Sequence, residues 1–393
     1  MRHPRTDLAI DLLEGFAERT GLASDAESDA STDGAGRRYL WTDAFAVCTL
    51  LGLWRSTGDG DHRELALTLI DRVHHVLGRH RPDDARTGWI SGLADEDGEA
   101  HPTAGGLRIG KPLPERATHD RFDERLEWDR DGQYFHYLTK WMHALAQTRR
   151  ATGQPLFDSW ARDLALAAHR AFVYAPRDVA PKRMYWKMSI DLSRPLVASM
   201  GHHDPLDGLV TCIELDATAR PAPPTLERAA ADYAAMLVPS ALATSDPLGL
   251  GGLLADAALL RQLAAEGVAT PDGLLEALLA AAARGLRSYL EQPDLRAPAS
   301  RRLAFRELGL ATGIAALPVV ARDASGLGRE ARADLDRLER FVPVQAQIES
   351  FWSRPEHRDT EIWREHQDIN DVMLAAALVP EGFLVLQPRA AAP

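Results

Sequence analysis

The chain has 393 residues, of which 45% are apolar, 26% charged and 7% aromatic, long enough for one large or two to three average domains with a sizeable core. Its 45 Lys and Arg against 57 Asp and Glu give a net charge of −12, which argues against nonspecific binding to nucleic acid or to an anionic membrane. Two cysteines, Cys48 and Cys212, exclude a disulfide-dense scaffold and a CxxC metal motif, and no uncharged apolar run reaches membrane-span length.

The acidic residues Asp7, Asp11 and Glu14 fall where a signal peptide needs an apolar run, so a soluble, cytoplasmic protein is expected. Helical periodicity then dominates the chain, and strand alternation is scarce. Segments 5–20, 61–80, 157–173, 224–239, 272–291 and 327–342 read as amphipathic helices with a charged outer face. Segments 39–55, 131–147, 206–217, 248–264, 303–317 and 367–378 are apolar or glycine-rich, with polar residues mainly near their starts. The two kinds alternate strictly. Six such pairs describe helical hairpins closing into an all-α (α/α)6 barrel, a toroid whose inner helices touch neighbours on all sides. The expectation is a single toroid over 1–393, without a clear sequence repeat.

Three connections, 81–130, 175–205 and 343–366, are too long for turns and carry Trp89, Trp128, Tyr185, Trp186, Phe351, Trp352 and Trp363. Disordered linkers are poor in aromatics, so these segments read as lid loops at one end of the barrel. Segment 24–36, rich in Ser, Asp, Gly and Ala, reads as a mobile surface loop.

The densest chemical constellation is Glu127-Trp128-Asp129-Arg130-Asp131, leading through Gln133, Tyr134 and Phe135 into an apolar helix. Asp131 as a helix N-cap is the plain structural account. The functional account makes Glu127, Asp129 or Asp131 a general acid or base beside Trp128 and Tyr134. Further along, Gln133, His136, Lys140 and His143 fall on one helical stripe, and a polar stripe on an apolar helix requires partners or a wet cavity.

A second constellation runs from Tyr185-Trp186-Lys187 through Arg194 to His202-His203-Asp204 and Asp207. It reads as a recognition loop in which Tyr185 and Trp186 stack on a ligand and Lys187 or Arg194 holds an anionic group. Metal binding by the histidines and aspartates is the weaker account, because neighbouring histidines rarely reach one ion and no HExxH spacing occurs. Ordinary loop packing is the third.

A third constellation joins Trp352 to Trp363, Glu365, His366, Asp368 and Asn370 at the last inner helix, with Asp368 a candidate N-cap. Comparable first-turn positions are Trp41 and Asp43 on the first inner helix and Arg306 and Glu307 on the fifth. Aromatic faces among Asp, Glu, His and Arg suit a sugar, whose ring has an apolar face and whose hydroxyls need acceptors and donors. The segment Gly105–Lys111 fits GxxxxGK, but Pro112 stands where magnesium needs a hydroxyl, so a nucleotide P-loop is excluded; Arg108 and Lys111 remain candidate anion ligands.

With this alternation and these aromatic and acidic segments, the chain resembles the six-hairpin glycosidase superfamily, which includes sugar epimerases of the N-acylglucosamine 2-epimerase type. The resemblance implies an (α/α)6 toroid and a carbohydrate-active enzyme, foremost a glycoside hydrolase. Its general acid would come from Glu127, Asp129 or Asp131, and its partner from Asp207, Glu307, Glu365 or Asp368. An epimerase or isomerase using His136 with His366 or His202, and a non-enzymatic binding toroid, are the alternatives. No metal or cofactor is expected; the expected partner is a small-molecule or oligosaccharide substrate.

Overall fold

A computed structural model describes residues 3–22, 37–176, 182–218, 225–292, 294–322 and 326–386, so the surface loop expected at 24–36 lies outside them. The principal helices are α1 (Pro4–Arg19), α2 (Leu40–Thr57), α3 (Gly60–Leu77), α4 (Phe135–Thr152), α5 (Leu156–Phe172), α6 (Asp204–Thr218) and α7 (Glu227–Met236), followed by α8 (Pro247–Ala265), α9 (Leu274–Leu290), α10 (Ala304–Ile314), α11 (Arg329–Glu339), α12 (Val342–Trp352) and α13 (Gln367–Leu378). The described residues form two compact units: those within 3–16, 48–59 and 238–386 make one, and those within 17–47 and 60–237 make the other.

Each expected helix is present, with its burial in the expected style. Residues 370–378 of α13 are all buried, as an inner helix requires. By contrast α9 buries Leu274, Leu278, Leu279, Ala282, Leu286 and Tyr289 along one stripe and leaves its opposite face wet. Each fully buried leucine there contributes roughly 2 kcal/mol. In the Val238–Leu386 unit, α8 packs on α9 and α10, and α10 packs on α12 and α13. The α8–α10 crossing is close because Gly251 faces Gly309: a Cβ on Gly251 would lie 2.2 Å from the Gly309 carbonyl oxygen. The stretches Pro247–Ala265 and Ala304–Ala321 have the length and hydropathy of membrane spans, and 50% and 72% of those windows are buried inside the protein.

Three boundaries differ from expectation for stated reasons. The helix expected at 131–147 begins at Phe135, after a short strand β1 (Gln133–Tyr134), and Tyr134 rather than Asp131 is its N-cap. The helix expected to end at 317 ends at Ile314, because Pro318 begins a new short helix at Leu317–Ala321. Segment 343–366, expected as a long connection, is mostly helical: α12 is followed by short helices at Pro355–Arg358 and Glu361–Glu365. Pro343 sits in the first turn of α12 and starts that helix instead of breaking one.

In the Gly60–Leu237 unit α4 packs on α5 and α6, and α6 on α7. The long connection before α6 carries β2 (Val173–Tyr174), β3 (Arg183–Met184), β4 (Lys187–Met188) and β5 (Pro195–Val197). Strands β1, β4 and β5 form one antiparallel sheet, with Tyr134 opposite Lys187. This sheet ties the connection to the start of α4.

Candidate active site

Helices α4 and α6 face each other through three rungs of opposite chemistry. On α4 the stripe His136, Lys140 and His143 repeats at helical spacing; on α6 Asp204, Asp207 and Glu214 do the same. His136 Nδ1 lies 3.8 Å from Asp204 Oδ1, Lys140 Nζ lies 3.3 Å from Asp207 Oδ1, and His143 Nδ1 lies 2.9 Å from both Glu214 carboxylate oxygens. Glu214 is fully buried and His143 nearly so, which makes this third rung a structural anchor.

The first two rungs open toward the N-terminus of α6 and differ in electrostatics. Burial, reinforced by the charge of Asp207, raises the Asp204 pKa to about 8, against the opposing Gly201 N–H donor and Lys140 charge. Gly201 N–H donates to Asp204 Oδ2 over 3.1 Å. Burial lowers the pKa of His136 to about 4, although Asp207 pulls the other way. At neutral pH the proton therefore resides on the Asp204 carboxyl, and the imidazole beside it is neutral. Asp207 is the ionic partner of Lys140, one helical turn along.

Aromatic side chains wall this pair. Tyr134 stacks near His136 at 5.4 Å, and Trp186 lies 5.0 Å from Tyr134 and 6.4 Å from His136, its plane within 9° of the imidazole. Tyr137 meets His136 edge-on at 4.8 Å, and its hydroxyl is hydrogen-bonded to that of Tyr39 at 2.6 Å. Trp128 packs edge-on against Trp186 at 5.2 Å.

Of the expected site residues, the structure thus brings together His136, Asp207, Tyr134, Trp186 and Trp128. Others prove to be committed elsewhere. Glu127 is buried and joined to Lys187 and Arg116, each at 3.0 Å. Lys187 is fully buried, donates to the Glu127 and Arg130 carbonyls as well, and so is no anion receptor. Asp129 is exposed, at the end of the short helix Glu124–Asp129. Asp131 is fully buried and neutralised by Arg108 at 2.6 Å, and it accepts the Gly110 and Gly132 N–H groups. Arg108 also donates to the Arg79 and Val76 carbonyls. Arg194 donates to the Arg116 carbonyl. Tyr185 stacks on Tyr174 at 4.2 Å, away from the rings around His136.

Trp41 is a buried ring against Phe45, and Asp43 accepts the Tyr39 N–H while lying 3.7 Å from Arg38. His202 and His203 form a tilted ring pair just ahead of α6. In the other unit, Glu307 is clamped by Arg302 and accepts a 2.8 Å hydrogen bond from Trp352 Nε1. Trp352 is buried there as core. His366 is the N-cap position of α13, without a side-chain cap, and packs edge-on to Phe305; Asp368 lies inside the first turn and is not the cap. Glu365 is exposed at the end of its short helix. Among the described residues, no three His, Cys, Asp or Glu are placed to hold a metal ion.

Two residues of the site were undervalued in sequence. Asp204 appeared there as a possible metal ligand, and Lys140 as a member of a stripe. The signal lay in pairing the stripe 136/140/143 with the carboxylates 204/207/214, which have the same helical period.

No protein-family model matches the chain, and no curated protein matches it. Solved structures do. An α-1,6-mannanase of Salegentibacter sp., solved as an inactive variant with two aspartates replaced and in complex with α-1,6-mannotetrose, shares 12% identity, with 96% of this chain and 99% of that chain covered at a TM-score of 0.54. A family 76 α-mannanase of Bacteroides thetaiotaomicron shares 9% identity, with 96% of each chain covered at a TM-score of 0.55. A family 76 glycoside hydrolase from a bovine strain of the same species shares 10% identity, covering 98% of this chain and 78% of that chain at a TM-score of 0.53. The chain has the all-α (α/α)6 toroid fold of these six-hairpin enzymes.

Proposed function

We propose that the protein is a glycoside hydrolase in which Asp204 is the general acid and Asp207 its carboxylate partner. The observation that carries this reading is the pair itself. One carboxyl is buried and protonated at neutral pH, and the other is held by a lysine one turn away. Glycosidic cleavage needs such a division, a protonated acid at the leaving oxygen and an ionised carboxylate for the cationic sugar or the attacking water. His136, neutral beside Asp204, supplies a wall and no competing positive charge. The aromatic rings of Tyr134 and Trp186 suit the apolar face of a pyranose.

The fold neighbours that act on α-mannosides make oligomannosides the first substrates to offer. The chain's single pair of adjacent aspartates, Asp83-Asp84, is occupied by Arg81 and Arg86, so the acids of this reading are drawn from α6.

The test is release of reducing ends from α-1,6-mannan and a panel of other glycans. Asp204→Asn and Asp207→Asn are each expected to lower kcat by about a hundredfold or more. Full turnover in both variants would remove the assignment. Deuterium incorporation from solvent into a free sugar, with no glycan cleaved, would replace it by the epimerase alternative.

A further inference from the structure

The short helix Glu124–Asp129 carries, in its last turn, an exposed tryptophan that the acid pair does not use. Trp128 is 49% exposed, an unusual state for the largest apolar side chain, and exposed aromatics bordering a site commonly contact ligand. It does not stand alone. Trp186 is its neighbour at 5.2 Å, and Trp186 is also the ring that lies parallel to His136 at 6.4 Å, the imidazole that neighbours Asp204. A series of contacts thus runs from Asp204 through His136 and Trp186 to Trp128.

The spacing of the two tryptophans is fixed from beneath. Lys187, next in sequence to Trp186, places its ammonium on the carboxylate and carbonyl of Glu127, next in sequence to Trp128. It reaches the Arg130 carbonyl as well, at 2.8 Å. A fully buried lysine thus fastens the strand carrying one ring to the helix carrying the other. The two rings are kept at a set separation while Trp128 stays half exposed.

We infer that Trp128, edge-on to Trp186, forms a ledge for an outer sugar ring of an oligosaccharide and is its distal, chain-length-determining contact. This rests on the glycoside-hydrolase reading and adds a specificity residue to it. Aromatic rings stack on the C–H faces of pyranoses, and Trp128, standing nearly perpendicular to Trp186 and half exposed, offers a separate surface to a second sugar. Tyr185, stacked on Tyr174, takes no part.

Binding, not turnover, tests the ledge, so its failure is separable from failure of the acid pair. Isothermal titration would use α-1,6-mannooligosaccharides and cello-oligosaccharides of two to five units, on the Asp207→Asn protein with and without Trp128→Ala. In at least one series affinity is expected to rise with length. Trp128→Ala is expected to remove the last increment, about fivefold to tenfold. Equal increments in both proteins, or no binding in either series, would overturn the ledge. A change in sedimentation with unchanged sugar affinity would overturn it too, by making Trp128 a protein contact. Cleavage by the wild-type enzyme in the preceding assay would leave the acid pair standing in each case.

Discussion

Replacing Asp204 by Asn should stabilise the protein while disabling it, and the size of the effect should depend on pH in a defined way. The native carboxyl titrates near pH 8 and an unperturbed one near 3.8. A raised carboxylate pKa means that the native state holds a proton the unfolded chain has released between these values. Its contribution to stability is complete below pH 3.8, declines as pH rises, and is exhausted above about pH 8. The slope is about −1.4 kcal/mol per pH unit, so at pH 7 the wild type has lost about 4 kcal/mol relative to a neutral side chain. Asn has the same shape, binds no proton, and can still accept the Gly201 N–H bond. Urea unfolding of both proteins from pH 5 to 8 would give the difference in free energy directly. It should widen steadily toward high pH in favour of Asp204→Asn. A difference that stays flat across that range would show that Asp204 is already ionised in the native protein, and the general-acid assignment would fail with it.

Two other substitutions probe the packing around the acids. In Gly201→Ala the new Cβ would approach the Asp204 carboxyl to 2.3 Å; the carboxyl can swing away, so melting temperature should barely move. Activity should nevertheless fall by about tenfold to a hundredfold, as misplaced catalytic groups do, and steady-state kinetics with full activity would contradict the placement. Arg302→Met leaves Glu307 buried without its clamp and should cost about 3–5 kcal/mol. Adding Glu307→Gln should restore part of that loss in a thermal melt, and equal melting of single and double variants would refute a buried ionic clamp.

The helices were legible because their signals are local. The apolar stripe of α9 and the apolar run 372–378 of α13 can be counted from residue types, and α13 has the expected bounds, Gln367–Leu378. The carboxylates were harder. Glu127 and Asp131 have the composition of a catalytic cluster, but each faces a buried lysine or arginine that is distant in sequence, Lys187 on Glu127 and Arg108 on Asp131. Sequence spacing carries no information about such partners. The site emerges only when the stripe on α4 is set against the stripe on α6, because tertiary contact, not local pattern, separates a neutralised carboxylate from a working one. The helix α12 was hidden for a simpler reason: Pro343 marks both the end of one helix and the first turn of another.

The three rungs between α4 and α6 carry a consequence for how such a site can change over generations. Removing one member of a buried pair strands its partner at a cost of several kcal/mol, a large fraction of a domain's net stability. Positions 143 and 214, the fully buried hydrogen-bonded rung, are therefore exchangeable by paired replacement far more readily than one at a time. The connection before α6 is under no such rule, since the deep His143–Glu214 rung holds the two helices in register from below. Recognition at the rim can drift through that connection while the proton-handling pair stays where it is.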